Sequence, residues 1–140
     1  MTGDPQSDLV DLLARTARGP RREGVYALWL VLRVTVDYLS EPALPERAAR
    51  RRLAALDARL SSLTLPPPLR RALTAVLHEI RDGGRAAVPV VLSTLVAPAR
   101  ESAGPEAADA VQRAARSAHS AASASSPAAM CVKARMPSIA

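Results

Sequence analysis

The longest run of large apolar side chains in the chain lies between Gly24 and Ser40 (GVYALWLVLRVTVDYLS). It holds all three aromatic residues of the protein, Tyr26, Trp29 and Tyr38. Apolar residues recur within it at intervals of three and four, the spacing that places side chains on one face of an α-helix. Further apolar residues widen this face until little of the circumference is polar, which is typical of a helix buried in a core or a membrane. We therefore expect it to be the central helix of the fold.

A second interpretation of the same stretch is a β-strand. From Leu30 to Tyr38 successive residues can also be assigned alternately to two faces, and the run is rich in β-branched residues. A strand needs partners, however, and an isolated pair of strands is marginal in water. The only other strand-like run, 88–96, is interrupted by Pro89. The helix is favoured, and the strand is kept as the alternative.

Proline and glycine divide the rest of the chain into further helical segments. A first helix follows the N-cap candidate Ser7 and stops at Gly19. The third begins at Pro45, and the fourth follows a run of three prolines and stops at a pair of glycines. The predicted segments besides the central one are 7–18, 45–63, 68–82, 85–97 and 105–122.

The third segment carries a regular apolar seam. Its members follow one another at spacings of four, three, four and three, which is an a/d pattern over two heptads and is suited to packing against another helix. They are Ala49, Leu53, Leu56, Leu60 and Leu63. Together with Trp29, the four leucines are our candidates for contacts with a partner helix.

The alanine-rich segment 105–122 has good helix propensity, but Val111 is its only large apolar residue. We expect it to be a frayed flank or an element that forms on binding a partner. Residues 123–140, rich in Ala and Ser, lack periodicity and are predicted to be a disordered tail.

These patterns predict an all-α fold, a compact bundle of five to six short helices followed by the disordered Ala/Ser-rich C-terminal tail. A chain of 140 residues is typical of one domain. We assign residues 1–122 to a single helical domain, with its core at 7–99 and a weaker alanine-rich helix at 105–122.

The composition restricts which side chains can form the core. The chain has no Phe, and aromatic residues make up 2% of it, so the core must consist of Leu, Val and Ala. Ligand pockets are commonly lined by aromatic and other large apolar groups. We therefore expect neither a cofactor nor a small-molecule ligand.

Positive charge concentrates in the middle of the chain. The net charge is +6, and residues 41–100 contain ten arginines against five acidic residues. Seven of these arginines are candidates for contacts with an anionic surface or a nucleic acid: Arg47, Arg50, Arg51, Arg52, Arg59, Arg70 and Arg71. Arg50 and Arg52 lie far apart around a helix, no aromatic platform for single strands accompanies the cluster, and residues suited to reading base edges are missing. A solvated face is the favoured interpretation, because a GC-rich genome would also enrich arginine.

The chain shows no catalytic or metal-binding motif. His78 is followed by Glu79, but the second histidine of a zinc motif would fall at position 82, which is Asp. His119 and Cys131 have no evident partners for nucleophilic catalysis. We therefore predict no catalytic residue, no metal site and no enzymatic activity.

Charges also argue against a spanning helix and a leader. Arg33 and Asp37 lie one turn apart in the central segment, and each would cost about 2.5–3.5 kcal/mol at the centre of a bilayer. They form either a buried ion pair or the one polar edge of the helix. Asp4, Asp8 and Asp11 occupy the region where a signal peptide would be basic and then apolar. The sequence predicts a cytoplasmic protein without a membrane span.

The leading functional hypothesis is a non-enzymatic protein that acts in protein–protein interaction or as a scaffold. Its partner would be another protein or a second copy of the chain, contacted through the central helix or the leucine seam. The alternative is a basic module that binds nucleic acid or anionic surfaces through the arginine-rich hairpin of the third and fourth helices. Nucleic acid has the weaker support.

Overall fold

A computed structural model of the protein describes residues 5–40 and 45–125. These residues form seven α-helices and one 3₁₀ turn, and they contain no strand. The helices are α1 (Pro5–Arg15), α2 (Pro20–Ser40), α3 (Glu46–Ser61), α4 (Pro67–Gly83), α5 (Val88–Thr94), α6 (Val96–Ala103) and α7 (Pro105–Ser125), with the 3₁₀ turn (Gly84–Ala87) between α4 and α5. The prediction of an all-α bundle is confirmed. The predicted tail falls mostly on residues 126–140, which lie outside the described residues, whereas 123–125 belong to α7.

Helix α2 is the central element, and its residues 30–38 are helical rather than extended. It begins at Pro20, four residues before the predicted start, because proline fits the first helical position, where its missing N–H would have no partner anyway. Gly19 ends the preceding turn with a φ of 142°, a conformation that side chains disfavour. One face of α2 is fully buried against α1, α3, α6 and α7. That face consists of Val25, Ala27, Leu28, Val31 and Leu32.

Gly24 leaves room on α2 for the side chain of Leu69 from α4. A Cβ atom at this position would lie 3.1 Å from Cδ2 of Leu69, which is tighter than ordinary contact. The one buried polar side chain among the described residues, Thr35, donates its hydroxyl to the carbonyls of Val31 and Leu32. The hydroxyl of Thr35 is therefore buried without being left unsatisfied.

The predicted single helix over 85–97 is wrong. The structure divides it into the 3₁₀ turn, α5 and the start of α6. Pro89 lies in the first turn of α5 and Pro98 in the first turn of α6, where a missing N–H is tolerated. Leu95 joins the two helices and donates its N–H to the carbonyl of Leu92. Two prolines nine residues apart therefore require two short helices.

Helix α7 is packed from Ala107 to Ala118, so the expectation of a frayed flank is wrong for this part of the segment. The alanines of this part are buried, and α7 contacts α1, α2, α5 and α6. Because an alanine side chain is small, the neighbouring helices approach the α7 backbone closely, and dispersion contacts accumulate there. The buried residues are Ala107, Ala108, Ala110, Val111, Ala114, Ala115 and Ala118.

Several arginines satisfy carbonyls at or just beyond the C-terminal ends of helices. Such carbonyls have no partner within the helix, and a positive charge beside them is favourable. The donor and acceptor pairs are Arg22 with Thr16, Arg21 with Ala103, Arg85 with Tyr38, and Arg70 with Leu63. Part of the arginine excess therefore holds the helices together.

The close packing of α7 predicts that a larger side chain there is destabilising. We expect Ala110→Leu to lower the free energy of unfolding by about 1–3 kcal/mol, because the fully buried site has no room for three more carbons. Ala54→Leu, on the exposed side of α3, should change it by less than about 0.5 kcal/mol. Urea unfolding followed by circular dichroism measures both. Equal effects of the two substitutions would contradict the close packing of α7.

Candidate functional site

The seven candidate arginines of the α3–α4 hairpin do not form one surface. Arg47 and Arg51 are exposed on the side of α3 opposite its buried leucines. Arg50 pairs with Glu46 at 3.2 Å on a different side of the helix. Arg52 and Arg71 are also exposed, and Arg70 is turned towards the carbonyl of Leu63. The seventh, Arg59, contacts an aromatic residue of another helix, Tyr26 of α2.

Arg59 leads into a continuous set of contacts on the surface of α2. Its Nη2 donates to the hydroxyl of Tyr26 at 2.9 Å. The ring of Tyr26 stacks on that of Trp29, with centroids 6.0 Å apart and an interplanar angle of 23°. The guanidinium carbon of Arg33 lies 5.4 Å from the centroid of the Trp29 ring, within the range of a cation–π interaction. Two arginines therefore flank two stacked rings.

A groove between α1 and α2 extends this surface. It has a volume of about 420 Å³ and is lined by Gln6, Ser7, Val10, Asp11 and Trp29. Val10 is 46% exposed, an unusual degree for a large apolar residue in this protein. We call Val10, Tyr26, Trp29, Arg33 and Arg59 together the aromatic–arginine surface.

Helical spacing explains why the rings reach the surface. Tyr26, Trp29 and Arg33 follow one another at intervals of three and four residues and so share one side of α2. The buried face of α2 is a different side, and Trp29 is only partly buried where it packs against the core. The apolar circumference of α2 therefore serves two purposes, because one side fills the core and the other stays partly exposed.

The leucine seam of α3 is covered by the chain itself. Leu53, Leu56 and Leu60 are between 2% and 5% exposed and belong to the core, and Leu63 packs against it while partly exposed. A partner helix could reach these leucines only by displacing α2 or α4. Of the five residues predicted to contact a partner helix, Trp29 and Leu63 are the two that are partly exposed.

The two arginines of the surface carry charge that the described residues do not neutralise. Within 5–40 and 45–125, no carboxylate forms an ion pair with Arg33 or Arg59. Arg33 and Asp37 do not form the buried ion pair considered from the sequence, because Arg33 is exposed and lies over Trp29. The surface thus combines apolar rings with two arginines that form no ion pair within the described part of the chain.

A second charged cluster joins α1 to α7. Arg113 contacts Asp8 across the two helices and also pairs with Asp109 at 3.2 Å, while Arg15 pairs with Glu106 at 3.3 Å. The hydrogen bond with Asp8 is the main cause that raises the pKa of Arg113 above its usual value. Both pairs between the helices join opposite charges, so this cluster holds α1 against α7.

The residues considered for catalysis or metal binding remain apart. His78 and His119 are exposed on α4 and α7, and Cys131 lies outside the described residues. Across the described part of the chain, no group of three or more His, Cys, Asp or Glu side chains is arranged to hold a metal ion. No helix in the same residues combines the length and apolar character needed to cross a membrane.

No protein-family model matches the chain, and no curated protein or solved structure is significantly similar to it. Similarity therefore assigns it no family.

The charged cluster between α1 and α7 predicts that its two arginines contribute unequally to the free energy of unfolding. We expect Arg113→Met to lower the free energy of unfolding by about 1–2 kcal/mol, because Arg113 is largely covered and bonds two carboxylates. Arg15→Met should lower it by less than about 1 kcal/mol, because its pair with Glu106 is mostly exposed. Methionine keeps the apolar stem and the helix propensity in both variants. Chemical denaturation would contradict this assignment if Arg15→Met were the more destabilising change.

Proposed function

We propose that the protein is a non-enzymatic interaction module that binds a protein partner through the aromatic–arginine surface. The observation that carries this proposal is the unbroken set of contacts from Arg33 through Trp29 and Tyr26 to Arg59 on the outside of the fold. Trp, Tyr and Arg are the residue types that dominate binding energy at protein interfaces. This chain has only three aromatic residues, and two of them lie here.

The contacts within the surface favour binding for an energetic reason. Ordering flexible side chains opposes association, at about 0.5–1.5 kcal/mol for each side chain immobilised. Here the rings are already stacked, Arg33 rests on Trp29, and Arg59 is bonded to Tyr26. Less conformational freedom is left to lose when a partner binds. The exposed Val10 adds an apolar contact beside Trp29.

The composition of the groove supports binding rather than catalysis. Its lining contains one carboxylate, Asp11, together with Gln6, Ser7, Val10 and Trp29. Nucleophilic and acid–base catalysis use paired groups, such as a nucleophile with an adjacent base. The lining offers an apolar contact with polar edges, which suits recognition of a partner side chain.

The alternative, a basic module for nucleic acid, has less support. Exposed Arg47 and Arg51 favour it, but the candidate arginines are distributed over several sides of the hairpin. A scaffold that assembles copies of this chain is a further form of the interaction hypothesis. We also keep the cytoplasmic location predicted from the sequence as part of the proposal.

Selection from a library of random 12-residue peptides, followed by affinity measurement on the purified chain, tests the proposed function. We expect Trp29→Ala to weaken binding of the selected peptides by at least about tenfold, because removing a central aromatic residue commonly costs 2 kcal/mol or more. Val10→Ala should weaken binding by a smaller factor. Val90→Ala, a substitution at an exposed valine that does not line the groove, should leave affinity unchanged.

Circular dichroism must show that each variant keeps the helical content of the parent chain. Peptides that bind Trp29→Ala and Val10→Ala as tightly as the parent would contradict the proposal. So would a selection that enriches no peptide.

A further inference from the structure

The charge of the aromatic–arginine surface restricts what can bind it. Arg33 and Arg59 are both exposed, and neither forms an ion pair within the described residues. Their engagement with the rings, by a cation–π contact and a hydroxyl, leaves guanidinium N–H groups available. Carboxylates are the protein groups that match this geometry, because they accept two parallel N–H bonds from one guanidinium.

We infer that the partner presents an acidic segment with an apolar centre, whose apolar side chain covers Trp29 and whose carboxylates pair with Arg33 and Arg59. This inference rests on the proposed function. Tyr26 accepts the hydrogen bond from Arg59 and lies seven residues before Arg33. Tyr26 and Arg33 are therefore about 10 Å apart along α2. The acidic residues of the segment therefore flank its apolar centre rather than forming one block.

The electrostatics of the whole chain agree with an acidic partner. The net charge of +6 attracts acidic molecules over distances longer than a contact, which accelerates their association. Asp11, on the α1 side of the groove, and Asp37, one turn after Arg33 on α2, are the exceptions. They disfavour a carboxylate beside them and so direct the acidic residues of the segment towards the arginines.

A second copy of the chain fits this surface less well. A two-fold dimer would place the same patch on both sides of the interface. Both copies would then bring Arg33 and Arg59 into one interface, and like charges brought together in this way repel each other.

A nucleic acid also fits less well. Single strands bind to aromatic side chains by stacking bases on exposed ring faces. Here Tyr26 stacks on Trp29, and Arg33 covers part of the Trp29 ring. Arg47 and Arg51, which could contact phosphates, lie on a different side of α3 from Arg59.

The composition of the selected 12-residue peptides tests this inference separately from the proposed function. Among peptides that lose affinity on Trp29→Ala, we expect Asp and Glu to be enriched over the starting library on both sides of an apolar residue. Replacing those acids with Asn or Gln should weaken binding at least tenfold. Arg33→Gln and Arg59→Gln should each weaken it at least threefold and make it less dependent on salt concentration.

Arg51→Gln is the matched control, because it removes the same charge from an exposed position on another side of α3. We expect it to change affinity by less than twofold. Neutral or basic peptides that depend on Trp29 would overturn the acidic partner but leave the interaction module in place. An equal loss on Arg51→Gln would also overturn it, because the effect would then be one of net charge.

Two further measurements test whether a nucleic acid or a second copy of the chain binds the aromatic–arginine surface instead. Tighter binding of a 12-nucleotide single-stranded DNA than of the acidic peptides, with dependence on Trp29, would overturn the inference in favour of nucleic acid. Light scattering that shows a dimer of the parent chain but a monomer of Trp29→Ala would overturn it in favour of a second copy. We expect light scattering to give the same oligomeric state for the parent chain and for Trp29→Ala.

Discussion

The close packing of the alanine face of α7 is the constraint on which the rest of the structure depends. A core without phenylalanine gains little area from any single side chain, so its helices must approach one another closely. Helix α7 makes this possible by contacting α1, α2, α5 and α6 through Ala107, Ala110, Ala114 and their neighbours. Gly24 likewise leaves room on α2 for the side chain of Leu69 from α4.

This constraint also determines where the aromatic rings lie. A core of closely spaced helices has little room for an indole ring, and Trp29 packs only partly against it. Helix α2 therefore presents leucine and valine to the core and the rings of Tyr26 and Trp29 to the outside. Arg33 and Arg59 then complete a surface that is apolar at its centre and positive at its edges. The side of α2 that packs in the core and the side that carries the proposed binding surface are therefore opposite sides of one helix.

The fold could be predicted largely from local patterns, and the candidate surface only in part. Proline and glycine marked most helix ends, and the spacing of Leu53, Leu56 and Leu60 indicated a buried stripe. Pro98 was the signal that the predicted helix over 85–97 is divided, and this proline is visible in the sequence. The burial of α7 could not be predicted, because alanine suits exposed and closely packed helices equally well.

The aromatic–arginine surface also depends partly on residues close together in the sequence and partly on residues far apart in it. Tyr26, Trp29 and Arg33 lie at helical spacing, so their common side of α2 could have been predicted. The bond from Arg59 to Tyr26 joins residues 33 apart, and it exists only because α3 packs beside α2. Helical spacing alone could not show which arginine of α3 contacts the rings.

Quenching of tryptophan fluorescence by acrylamide is the most direct test of the central claim that Trp29 is partly exposed on the outside of the fold. Trp29 is the only tryptophan, so the signal has a single source. We predict ready quenching in the free chain, and reduced quenching with a shift of the emission to shorter wavelength when a selected acidic peptide is added. Emission at short wavelength that acrylamide does not quench in the free chain would contradict the account, because Trp29 would then already be covered.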